Sequence, residues 1–200
     1  MSRRTNYGLR DCGFTRYYEQ ENLIVVATNL KNLSHFERPV PSASDMRVGI
    51  VVAEWNSAIT GALLEGAVKT LRAAGCREEN IIVKWVPGTF ELPMGAQFFA
   101  EYSNVDGVIA LGCVIRGETP HFDYVCQGVT IGITQLQLSW SMPVAFGVLT
   151  VENSEQAEER AGGKHGNKGD EAAATLIKMV ALQRSMEFED NNIDFGSVVN

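Results

Sequence analysis

The chain has 200 residues, 45% of them hydrophobic, and a formal net charge of −7 at neutral pH. That suits one α/β domain of about 150 residues with an appendage, and the acidic balance excludes a nucleic-acid binder, whose surface needs a basic field. No apolar run approaches the roughly 20 residues that span a bilayer; Cys12, Cys76, Cys113 and Cys126 form no Cys-x-x-Cys pair and no zinc-spaced set with histidine, so the sequence reads as a cytoplasmic, membrane-free protein with reduced thiols and no metal.

Residues 1–46 carry no sustained period and read as an arm or linker. Within it Leu23 to Thr28 would make one strand, which needs a sheet edge, such as a neighbouring subunit's, to be stable. Residues 47–187 read as the domain and 188–200 as a polar tail. Val48 to Ala53 is a buried-strand run, followed by Glu54-Trp55-Asn56-Ser57 and a helix with Ile59, Leu63, Ala67 and Leu71 on one face, stopped at Gly75. Ile81 to Val86 is the second strand. Pro93 is tolerated only in a helix's first turn, so the next helix begins near Thr89 or Phe90.

Gly107 to Ile115 is the third strand, and an amphipathic helix through Val125, Val129, Ile133 and Leu136 follows it. Thr119 before Pro120 is a helix-start signal, which would place His121 one turn inside and aim free backbone N–H groups into the loop Arg116-Gly117-Glu118-Thr119. Such a helix start attracts an anion, typically phosphate. Val144 to Leu149 is the fourth strand. Asn153 with Gln156 resembles a capping box for a short helix to about Ala161, Gly162 to Gly169 reads as a glycine-rich basic loop, and a last helix with Leu176, Ile177 and Val180 closes the domain near Met186.

Four apolar strands alternating with helices imply a parallel sheet covered on both faces, a three-layer α/β/α sandwich with right-handed crossovers. Ligands in such sheets bind at the carboxyl ends of the strands. This rule selects the loops Glu54 to Ser57, Pro87 to Glu91, Arg116 to His121 and Thr150 to Asn153. Trp55-Asn56 serves either as a helix cap with a packed aromatic or as an indole stacking on a flat heterocycle. Glu91 is either a favourable charge at a helix start or an acceptor for ring N–H groups. His121, beside the phosphate cradle, is the candidate for proton transfer. Arg160, Lys164 and Lys168 are three cations within nine residues, of which arginine can grip phosphate bidentately. His165, among them, reads as exposed. Walker loops, dinucleotide-binding turns and nucleophile–base pairs are missing from the sequence, so a cofactor-free condensation or elimination fits best.

Taken in order, Trp55-Asn56, Val86-Pro87-Gly88-Thr89-Phe90-Glu91-Leu92-Pro93, Leu111 to Thr119, His121-Phe122-Asp123, Phe146 to Thr150, and Gln156-Ala157 through Arg160-Ala161-Gly162 to Asn167-Lys168-Gly169 resemble the lumazine synthase family of riboflavin biosynthesis. The resemblance covers residues 47 to about 187. It implies a flavodoxin-like fold and the condensation of 5-amino-6-(D-ribitylamino)uracil with 3,4-dihydroxy-2-butanone 4-phosphate, without a cofactor. Carried over residue by residue, Trp55 stacks on the pyrimidine, and Asn56, Thr89, Phe90, Glu91, Cys113, Val114 and Ile115 bind the pyrimidine and ribityl chain. Glu118 and Thr119 offer amides to the phosphate, Arg160 grips it, and His121 is the proton donor. Phe146 closes over the ring, and Lys168 lies near the substrates. The resemblance also implies homo-oligomers: pentamers with sites shared between adjacent subunits, or twelve pentamers in an icosahedral shell, with riboflavin synthase as a partner. The arm before Arg47 is longer than the family's usual N-terminal strand, which leaves a shell-forming or flavin-binding homologue without turnover as the alternative.

Overall fold

The computed structural model describes residues 32–191, with side chains described through Glu187; the candidate strand from Leu23 to Thr28 lies outside the described residues. Strands β1 (Val48–Ala53), β2 (Ile81–Val86), β3 (Gly107–Ile115) and β4 (Val144–Val151) form one parallel sheet in the order β2-β1-β3-β4. Helices α1 (Ser57–Ala73) and α5 (Lys168–Asn191) cover one face, and α2 (Leu92–Tyr102) and α3 (His121–Trp140) cover the other. The expected three-layer α/β/α architecture is present.

Strand alternation splits the core in two. Val48, Ile50, Val52, Ile109 and Leu111 point toward α1 and α5, where Leu63, Ala67, Leu71, Leu176 and Ile177 meet them. Val51, Ala53, Val108 and Ala110 point the other way, against Leu92, Ala96, Phe99, Val129 and Ile133. All these side chains are buried, and each buried aliphatic one contributes about 1.5–3 kcal/mol. Strand β1 and most of β3 thus have no solvated face and read as unbroken apolar runs, whereas the edge strand β2 is only half-buried, with Lys84 and Trp85 exposed.

Helix ends follow local chemistry. Helix α1 stops at Gly75 (φ +90), where the Gly75 N–H donates to the Arg72 carbonyl at 2.9 Å and the Cys76 N–H to the Leu71 carbonyl at 3.0 Å, a Schellman closure. A short 3-10 turn, Thr89–Glu91, precedes α2 and leaves Pro93 in that helix's first turn. Helix α4 (Ser154–Glu159) is capped by Asn153, whose Oδ1 accepts from the Gln156 N–H at 2.9 Å.

Four expectations need correction. Strand β4 runs two residues past Leu149, because Thr150 and Val151 continue the ladder opposite Val114 and Ile115. Helix α3 starts at His121 with Pro120 as its cap residue and no side-chain cap bond, so Thr119 does not cap it and His121 is the first helical residue. Part of the glycine-rich loop is an antiparallel ribbon, β5 (Ala161–Gly163) with β6 (Gly166–Asn167). Helix α5 continues beyond Met186 to Asn191.

The chain from residue 32 to 46 lies against the domain. The Leu33 N–H donates to the His165 carbonyl at 2.7 Å, Ser34 Oγ accepts from the Asn167 N–H at 3.0 Å, and Ala43 and Met46 are buried in the α1/α5 core. This packing, together with Glu159 beside the ring, leaves the His165 side chain only 18% exposed rather than free in solvent.

Candidate active site

Parallel strands place the ends of β1, β2 and β3 at one edge of the sheet, and the residues just after them converge. Trp55 and Asn56 follow β1; Thr89, Phe90 and Glu91 follow β2; Cys113, Val114 and Ile115 end β3; and His121 opens α3. All nine line one cavity of about 420 Å³, which Tyr124 and Val125 complete. Its walls are mostly apolar, with a few polar groups converging on the space, the ordinary design of a small-molecule site.

Asn56 fixes the first wall. It adopts the left-handed conformation (φ 60°, ψ 43°) that turns the chain from β1 into α1, and its carboxamide nitrogen donates to the Cys113 carbonyl at 2.9 Å. Thr89 Oγ1 reaches the same carbonyl at 3.5 Å. The loops after β1 and β2 are thus both tied to the end of β3, while the indole of Trp55 stays 66% exposed and free to stack.

Glu91 Oε2 is buried and has no hydrogen-bond partner among the described residues. An orphaned carboxylate oxygen costs free energy unless a donor reaches it, which makes this atom a candidate acceptor for a ligand N–H. Cys113 is no nucleophile: burial pushes its thiol up to about 11, so it is protonated at neutral pH.

The loop between β3 and α3 carries the second set of unpaired groups. The backbone N–H groups of Gly117, Glu118 and Thr119 donate to nothing among the described residues, and no atom lies within 4 Å of where a Gly117 side chain would start. They sit just before the N-terminus of the 20-residue α3, whose dipole favours an anion there. His121 is exposed on the adjoining turn.

The other expected residues lie elsewhere on the chain. Phe146 is half-buried in β4 opposite Ala110. Arg160 ends α4 and donates through Nη1 to the Gln156 carbonyl at 3.0 Å. Lys168 opens α5, paired with Glu171 at 2.7 Å. Glu159 gathers Arg160 and His165 at 3.6 Å each, together with Lys164; the Lys164 hydrogen bond holds its carboxyl below the usual range. Arg160, Lys168 and Phe146 do not line the cavity within one chain.

Tyr124 and Val125 were missed as lining residues. Val125 belongs to the apolar period of α3 and was assigned to the core, whereas Tyr124, 70% exposed, lies on the helix surface and gives no periodic signal.

Comparison with known proteins shows the family. Residues 45–184 match the family model described as 6,7-dimethyl-8-ribityllumazine synthase. Among similar proteins, the 6,7-dimethyl-8-ribityllumazine synthase of Parabacteroides distasonis is 59% identical over 156 residues, 78% of this chain and 98% of the relative. The Porphyromonas gingivalis protein of the same name is 58% identical over 160 residues, covering 80% and 99%. That of Bacteroides fragilis is 61% identical over 135 residues, covering 68% and 94%.

Proposed function

Because this chain belongs to the 6,7-dimethyl-8-ribityllumazine synthase family of transferases, we propose that it serves riboflavin biosynthesis by condensing 5-amino-6-(D-ribitylamino)uracil with 3,4-dihydroxy-2-butanone 4-phosphate. The observation that carries this reading is the cavity itself: an exposed indole, an unpartnered buried carboxylate oxygen and a histidine at a helix start face one space.

In this reading the uracil ring stacks on Trp55 and gives its ring N–H to Glu91 Oε2, which relieves the orphaned acceptor. Thr89, Phe90 and the end of β3 hold the ring edge and the ribityl chain. The phosphate of the second substrate takes the free amides of the loop from Gly117 to Thr119. The 5-amino nitrogen then attacks the ketone carbon, and loss of one water gives the imine. A proton leaves the hydroxyl-bearing carbon beside the imine as the C–O bond to phosphate breaks on the next carbon, and inorganic phosphate departs. The enol so formed takes a proton at its terminal carbon to give a methyl group and a new ketone. The ribitylamino nitrogen closes the ring on that new ketone with loss of a second water. His121, at the start of the helix that follows the phosphate loop, supplies protons to the departing oxygens. Holding two reactants in one cleft lowers the entropic barrier of what is otherwise a bimolecular step.

Arg160, Lys168 and Phe146 enter the site from an adjacent copy of the chain. Support comes from their absence from the cavity lining within one chain and from the exposed apolar side chains Met94, Phe98, Leu138 and Trp140 on α2 and α3, a surface that a monomer would leave unfavourably wet. The assembly is then a pentamer or twelve pentamers, working in the cytoplasm, with riboflavin synthase receiving the product. Mixing the purified protein with both substrates and recording lumazine fluorescence tests the activity. The expected result is a rate well above the spontaneous reaction; a rate equal to it refutes the proposal.

A further inference from the structure

Arg116 follows β3 directly and does not line the cavity. Its backbone N–H donates to the Val151 carbonyl at 2.9 Å, its Nε to Glu152 Oε2 at 2.9 Å, and its Nη1 to Asp123 Oδ1 at 3.2 Å. The guanidinium carbon sits 4.1 Å from the centre of the Phe122 ring. One side chain thereby fastens the end of β3, the first turn of α3 and the end of β4. The unpaired amides of residues 117–119 and the His121 side chain lie in the segment so fastened.

We propose that Arg116 is a positioning residue for the phosphate-bearing substrate: its fork holds the Gly117–Thr119 amides and His121 at a fixed distance from one another. This inference rests on the reading of the cavity given above. Two acceptors on different elements and an aromatic face suit a planar guanidinium and cannot all be met by the point charge of a lysine. The side chain is 39% exposed and its partners 59–62%, so its ion pairs add little to folding stability. Their geometric constraint on the loop is what the chain gains from them.

The test measures wild type, R116K, R116Q and the double variant D123N/E152Q by steady-state lumazine formation and by thermal melting. In R116Q the KM for the butanone phosphate rises about tenfold, within the range that a displaced positioning group produces, while the KM for the uracil substrate stays within about twofold and the melting temperature within a few degrees. R116K falls between R116Q and wild type. D123N/E152Q, which keeps the arginine but weakens both acceptors, reproduces the selective rise and serves if R116Q does not fold. Unchanged constants in a folded R116Q, or equal increases in both KM values, overturn the inference while leaving the site reading intact. An inactive wild type removes the site reading itself, and this inference with it.

Discussion

Gly88 offers the sharpest probe of the cavity. Its backbone is extended (φ −143°, ψ 177°), a conformation open to any residue, so the substitution Gly88→Ala carries no backbone strain. The added Cβ would lie 2.8 Å from Cε3 and 2.9 Å from Cζ3 of Trp55, and 3.0 Å from Glu91 Oε2. Carbon atoms in contact sit about 3.5–4.0 Å apart, so the methyl group overlaps the indole by roughly 1 Å. Trp55 is largely exposed and swings outward at little cost to folding, and the alanine itself stabilises by about 0.4–1 kcal/mol through the unfolded chain. The melting temperature therefore moves by only a few degrees. Function responds differently, because misplacement by about 1 Å of a group that orients substrate costs up to about 100-fold. In steady-state lumazine formation with the uracil substrate varied, kcat/KM should fall roughly 10- to 100-fold. Gly61→Ala, where no atom lies within 4 Å of the new methyl group, should leave kcat/KM unchanged and stabilise helix α1 by about 0.5–1 kcal/mol. A Gly88→Ala protein with wild-type kcat/KM, or a Gly61→Ala protein that loses as much, would refute the reasoning.

Other outcomes follow from the same geometry. Arg160→Ala should raise the KM for the phosphate substrate by about 10- to 150-fold, the loss of a charge-assisted hydrogen bond of about 1.5–3 kcal/mol; an unchanged KM would remove Arg160 from the site. Cys113 ties stability to alkaline pH: its thiol ionises near the ordinary 9.0 in the unfolded chain and near 11 in the fold. The folded state thus holds its proton longer, and its advantage is complete below pH 9 and is lost as pH rises toward 11. Denaturant titrations across that window should show a steeper loss in the wild type than in Cys113→Ser. Phe98→Glu places a charge on the exposed apolar face of α2 and should reduce the molecular mass in solution measured by light scattering; a mass unchanged from wild type would take that face out of the assembly contact. Asn153→Ala removes the cap of α4 and should cost about 1 kcal/mol in denaturant unfolding.

Strands β1 and β3 were legible because burial on both faces leaves no polar interruption, and the half-buried edge strand β2 lies where its mostly apolar run predicts despite the exposed Lys84. Strand β4 was read short because exposed Thr150 ends the apolar run while the backbone ladder continues opposite Val114. The ribbon of β5 and β6 carries no β-forming run at all. Its turns are built on Gly162 (φ +112) and Gly166 (φ +80), and it is held by Leu33 and Ser34, more than 120 residues earlier in the chain. Local propensity has no access to such a contact. The start of α3 was misplaced for a related reason. Thr119-Pro120 has the composition of a cap, yet Pro120 occupies the cap position, and the fold anchors the helix start through Arg116 and Asp123 instead.

Of the expected site residues, those at the ends of β1, β2 and β3 came together because a parallel sheet sends every strand's carboxyl end to the same edge. Arg160, just past α4, and Lys168, at the start of α5, follow β4, and their carboxylate partners Glu159 and Glu171 were not singled out in the sequence, since acidic residues on helices usually face solvent.

The central claim is that the cleft between Trp55, Glu91 and His121 seats the uracil substrate. A crystal structure of the protein soaked with 5-amino-6-(D-ribitylamino)uracil tests it most directly. The account requires the ring to lie flat on the Trp55 indole with a ring nitrogen within hydrogen-bond distance of Glu91 Oε2 and the amino group open toward His121. A ring bound elsewhere on the molecule, or bound here with Glu91 Oε2 still unpaired, would contradict it.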